Sequence, residues 1–138
     1  MTVKQLTLPE LTETCVRLGV PGVGLWREPV QAYGVQAAAK LVHDAGLAVT
    51  TLCRGGFLTA SDPAARAEAL DDNRAAIDEA VTLGTDTLVL VSGGLPAGSR
   101  DLHGARERLV HDLGTTVLLA EHRLERVVHY ADQVILIP

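Results

Sequence analysis

Four short polar clusters stand out for the chemistry they could do: Trp26-Arg27-Glu28, Arg54-Gly55-Gly56, Ser92-Gly93-Gly94 and Glu121-His122-Arg123. Each comes after an apolar run, such as Leu88-Val89-Leu90-Val91 before Ser92. Together they hold three arginines, two glycine pairs, two carboxylates and a histidine. Backbone amides freed by Gly-Gly, joined by a guanidinium, suit a phosphate or a sugar carboxylate. The candidate substrate- or anion-binding residues are therefore Trp26, Arg54, Gly55, Gly56, Ser92, Gly93, Gly94 and His122. The blander account carries more weight: glycines permit tight turns, arginines solvate a rim, and a lone tryptophan fills a core.

No catalytic residue, metal ligand set or cofactor can be assigned from the sequence. There is no GxxxxGK followed by Ser or Thr, no GxGxxG and no GxSxG. His43, His103, His111 and His129 are scattered over segments that read as helices, and one strand-end histidine, His122, does not make a metal site. Cys53 beside Arg54 could have a lowered pKa, but a buried strand-end thiol is expected to be inert.

These clusters require elements that deliver them to one edge. Leu8-Pro9-Glu10-Leu11 opens a helix that stops at Gly19, and Val20-Pro21-Gly22-Val23-Gly24-Leu25-Trp26 reads as a turn followed by a short strand. Val30–Ala45 reads as one helix, and Leu47–Cys53 as a β-branched strand. Ser61-Asp62-Pro63 starts a long helix through Leu83, with Ala69, Ala76, Ile77, Ala80 and Val81 as its apolar stripe. The unalternating run at 87–91 suits a strand covered on both faces. A helix at 101–113, a strand at 115–120, a short helix at 124–131 and a strand at 133–137 complete the series.

Strict alternation of helix and strand predicts parallel strands with right-handed crossovers. Five strands cannot close an eight-stranded barrel. The expected fold is α/β: an open parallel five-stranded sheet with helices on both faces, three-layered and flavodoxin- or Rossmann-like, built from half-barrel βα units. With 138 residues, 47% of them hydrophobic, the chain reads as one domain with a substantial core. The net charge of −5 excludes a basic nucleic-acid surface. No 18-residue apolar run points to a membrane, and two isolated cysteines fit a reduced, cytoplasmic protein.

Two family resemblances are carried by longer blocks. Pro21-Gly22-Val23-Gly24-Leu25-Trp26-Arg27, Leu52-Cys53-Arg54-Gly55-Gly56-Phe57, Ala69-Leu70-Asp71-Asp72-Asn73-Arg74 and Ser92-Gly93-Gly94-Leu95-Pro96 through Asp101 resemble sugar phosphate isomerase/epimerase proteins, the xylose isomerase-like (β/α)8 barrels. The likeness runs over residues 6–108 and implies the first half of that barrel. The family's divalent-metal ligands and catalytic acids are implied to lie mostly on the other half. Residues 109–138, with Leu113-Gly114-Thr115-Thr116-Val117-Leu118-Leu119-Ala120-Glu121-His122-Arg123-Leu124, resemble the switch-histidine segment of ABC-transporter ATPase domains. That resemblance makes His122 the switch histidine, without the phosphate loop, Walker B acid or signature motif that hydrolysis requires.

The expectation is a single domain made as a chimera, 1–108 half-barrel-like and 109–138 ATPase-like. As a recombined or designed scaffold it would have no catalysis of its own and would self-associate as a homodimer or larger. Two alternatives stay open: sugar phosphate isomerase or epimerase activity completed by oligomerisation, and a module that binds a small phosphate or other anion.

Overall fold

A computed structural model describes residues 5–95, 98–101, 103–105 and 107. The first helix, α1 (Leu8–Arg17), starts where the sequence places it, on a capping box. The Thr7 amide donates to Glu10 Oε2 at 2.7 Å, and the Glu10 amide donates back to Thr7 Oγ1 at 3.4 Å. Two amides that a helix start leaves without partners are thereby satisfied. Strand β1 (Gly22–Trp26) then runs without a loop into α2 (Arg27–Tyr33), and α3 (Val35–Asp44) comes next.

The single helix expected over 30–45 is therefore two helices. Gly34 divides them at φ 94°, a backbone angle open to glycine and closed to the α-helix. Strand β2 (Ala48–Gly56) extends three residues beyond the expected Cys53, and α4 (Pro63–Leu83) leads to β3 (Leu88–Val91). Helix α4 begins on Asp62, whose carboxylate accepts from the Ala65 amide at 2.8 Å, and ends at Gly84 in the left-handed region.

The expected strand at 87–91 is thus present. The helix expected from 101 is represented by helical residues 103–105 and 107, and the strands expected at 115–120 and 133–137 lie outside the described residues. The architecture is α/β with a parallel sheet: β1 pairs with β2 and β2 with β3, in the order β1-β2-β3. Neighbouring parallel strands joined by right-handed crossovers place their helices on one side. The contacts agree, with α1 against α2 and α3, and α3 against α4. Among the described residues there is accordingly one helix layer, and the order shows no reversal of the doubly wound kind.

The core lies between that layer and the sheet. Leu25 and Leu52 face Val30, Val42, Leu47, Ala80 and Leu83, with Leu8 and Cys15 at its α1 end. Helix α4 is rotated from the expected stripe. Asn73, Ala76, Ala80 and Leu83 are its buried residues, whereas Ile77 and Val81 are 53% and 72% exposed. Both patterns have helical spacing, and packing against β2 and β3 selects the one that begins with a polar residue.

Candidate binding edge at the strand ends

The four polar clusters were expected to line a mouth, and three of them meet at the carboxyl ends of β1, β2 and β3. Trp26 stands in register with Cys53, Gly55 with Leu90, and Gly56 with Val91. Their roles within that edge differ from one another.

Arg27 turns inward and is 6% exposed, so it does not line the mouth. Its Nε and Nη2 donate to the two Glu79 carboxylate oxygens at 2.7 and 3.1 Å, and its Nη1 to Asp72 at 2.9 Å and to the Arg54 carbonyl at 3.3 Å. Gln31 Nε2 adds a bond to Glu79 Oε1 at 2.8 Å. The hydrogen bonds to Glu79 and then Asp72 raise the Arg27 pKa against the opposing effect of burial. For Glu79, burial alone would raise the pKa, but the bonds from Arg27 and Gln31 prevail and hold it below the usual carboxylate value. These charges join the β1–α2 junction to α4, with Arg27 and Glu79 enclosed and Asp72 at the surface.

Arg54 lies at the surface of the edge. Its guanidinium carbon sits 4.7 Å from the centre of the Phe57 ring, and its Nη2 is 3.5 Å from Glu28. The side chain is 37% exposed, yet its Nε is buried with no hydrogen-bond partner among the described residues. Trp26 is half-buried at the end of β1. Burial raises the Cys53 pKa more than the neighbouring Arg54 charge lowers it, as expected for an inert thiol.

Gly56 is committed to the chain itself. The Gly56 amide donates to Asn73 Oδ1 at 2.6 Å, and Asn73 Nδ2 donates to the Gly56 carbonyl at 2.8 Å and to that of Ala69 at 2.7 Å. A Cβ on Gly56 would lie 2.0 Å from the Val91 oxygen, and one on Gly55 would lie 2.6 Å from Asn73 Oδ1. The next amide, of Phe57, donates to Val91 at 2.7 Å. The Gly56 amide is therefore already engaged within the chain. On the β3 side, Thr59 Oγ1 donates to the Gly94 carbonyl at 2.6 Å, and Gly93 adopts φ 89° against Phe57. The Ser92 hydroxyl is exposed and reaches only its neighbour, the Gly93 carbonyl, at 3.5 Å. His122 lies outside the described residues.

Sequence reasoning missed Asn73, Asp72, Glu79, Phe57 and Thr59 as shapers of this edge. Phe57, Asp72 and Asn73 stood in blocks that carry the isomerase likeness, without a role assigned to them, and Glu79 and Thr59 gave no signal. The divalent metal implied by the isomerase likeness does not fit the side chains present. Asp72 and Glu79 are held by a guanidinium that a dication would have to displace, and the described residues contain no group of three potential ligands.

Comparison with known proteins gives two kinds of likeness. A crystal structure of protein SMc04130 from Sinorhizobium meliloti 1021 superposes with a TM-score of 0.76 at 44% identity, covering 79% of this chain and 40% of that one. A Streptomyces coelicolor protein named as an ABC transporter ATP-binding protein is 49% identical over 81 residues, 56% of this chain and 14% of its own length. A Streptomyces avermitilis protein of the same description is 53% identical over 68 residues, 47% of this chain and 12% of its own length. The chain thus spans a small part of each curated relative. Both matches are longer than the stretch 109–138, so this likeness reaches into the segment before it. The family described as xylose isomerase-like TIM barrel matches residues 13–128, and overlaps the ABC-like matches rather than meeting them at a boundary. With the greater part of its length matched, the chain belongs to the xylose isomerase-like TIM barrel family.

Proposed function

We propose that the chain is a recombined α/β scaffold that holds early βα units of a xylose isomerase-like barrel and turns over no sugar by itself. The observation that carries this reading is the closed charge network. Asp72 and Glu79, the α4 carboxylates that face the β1–α2 junction, are bonded to Arg27 at 2.7 to 3.1 Å. A carboxylate clamped by a guanidinium is a poor general base and a poor metal ligand. Two differently named likenesses on one chain support the recombined origin. The test incubates the purified chain with aldose and ketose phosphates and Mg²⁺, Mn²⁺ or Zn²⁺. No interconversion is expected, and turnover proportional to protein concentration would overturn the reading.

A second reading, binding of a small anion at the rim, is favoured by Arg54. Among the described residues its Nε is a buried donor without a partner, and the Glu28 carboxylate sits at the outer limit of hydrogen bonding, 3.5 Å. An anion between Trp26 and Arg54 would give that guanidinium a closer partner. Inorganic phosphate is expected to change Trp26 fluorescence saturably in the wild type but not in Arg54→Gln. A flat wild-type titration counts against the rim site.

A further inference from the structure

We infer that Asn73 is the positioning residue of the Arg54 rim: its side-chain amide takes the place of a strand at the end of β2 and sets the turn that puts Phe57 under the guanidinium. The inference rests on the anion-binding reading for its functional consequence, though not for its geometry.

A β-strand is terminated cleanly when its last backbone groups find partners away from the ladder. At Gly56 one side chain supplies both. Asn73 Oδ1 accepts from the Gly56 amide at 2.6 Å and Asn73 Nδ2 donates to the Gly56 carbonyl at 2.8 Å, the paired exchange that a neighbouring strand would make. The remaining Nδ2 proton goes to Ala69 in the preceding turn of α4, at 2.7 Å, which fixes the amide's orientation. Asn73 is 9% exposed, and its donors and acceptor are all engaged.

The turn beyond Gly56 depends on this lock. Gly56 takes φ 112° and Phe57 takes φ 60°, both in the left-handed half of the map. For a phenylalanine that conformation is uncommon and persists only where its surroundings impose it. The Phe57 amide is then drawn to Val91, and its ring lies 4.7 Å from the Arg54 guanidinium carbon. A chain of contacts therefore runs from a buried helical asparagine to the Arg54 guanidinium, which among the described residues lies at the rim outside the Arg27 carboxylate network.

The geometry makes Arg54 an informative probe, because a proton held above a phenyl ring resonates upfield. In the wild type the Arg54 Nε–H resonance should be ring-shifted and the Gly56 amide slow to exchange. In Asn73→Ala the resonance should return to its unshifted position, Gly56 exchange should accelerate by about tenfold or more, and phosphate should bind about tenfold more weakly. Ala80→Gly is the control for lost stability, because it weakens the same buried face of α4 without touching Gly56. It should lower Tm while leaving the resonance and the affinity in place. An unshifted resonance in the wild type, a shifted one surviving in Asn73→Ala, or the same loss in Ala80→Gly would each overturn the inference. Should Asn73→Ala fail to fold, the wild-type Gly56 amide decides the matter: exchange as fast as an open loop overturns the lock, and slow exchange supports it. If wild-type phosphate binding is absent while the resonance still moves in Asn73→Ala, the anion reading falls and the positioning role stands.

Discussion

Arg27 shows what a buried cation does to the residues around it. Its side chain is nearly enclosed and meets two carboxylates, so removing it strands Glu79 in a site arranged for a guanidinium. Arg27→Met is expected to cost about 3 kcal/mol or more, read from chemical denaturation. Glu79→Gln should cost less, because an amide can still accept from Arg27. The network also has a pH signature. The Glu79 pKa is lowered in the folded chain, so its stabilisation is complete above the unfolded value of 4.5 and is lost as pH falls through the lower folded value. Arg27, with its pKa raised, stays charged throughout the working range and adds no slope there. A melting series should therefore lose stability below about pH 4.5 in the wild type, and a shallower acid slope is expected in Glu79→Gln. An unchanged slope would remove Glu79 from the network's energetics.

Among the elements, the starts of α1 and α4 and the strand cores were legible because their signals are local. Leu8-Pro9-Glu10-Leu11, and Asp62 before Pro63, mark the starts of α1 and α4. Asp62→Ala is expected to destabilise the chain by about 1 kcal/mol, measured as a shift in denaturation midpoint. A change under a quarter of that would mean the cap is replaced by solvent. The features that stayed hidden depend on partners distant in sequence. The break at Gly34 is the choice of one backbone angle inside a helix-compatible run. The stripe of α4 could be placed on Ile77 and Val81 or one position away, and only the sheet decides. The candidate edge was half legible for the same reason. Strand ends carrying Trp26, Arg54 and Ser92 are implied by alternation, but Arg27 turning inward requires Glu79, 52 residues away. Gly56 surrendering its amide requires Asn73, a polar residue in a polar run that gives no sign of burial.

For the molecule as a whole, the strand order matters most. Strands stacked in sequence, with helices on one side, are the arrangement of a barrel wall, whereas a doubly wound sheet reverses its order. The three described strands form one stretch of such a wall, and at its β3 side Val89, Leu90 and Val91 are each more than a third exposed. We propose that the chain self-associates on this account. Light scattering on a sizing column should give a mass at least twice 14.6 kDa, and a monomer at high concentration would refute it. The Arg27 network has a further consequence during synthesis. Residue 27 leaves the ribosome 45 residues before Asp72 and 52 before Glu79, a wait of roughly 3–10 s at ordinary translation rates. Until then its charge has no site to enter, so the first strand–helix unit must stay open, hydrated and within reach of chaperones while α4 is still being made.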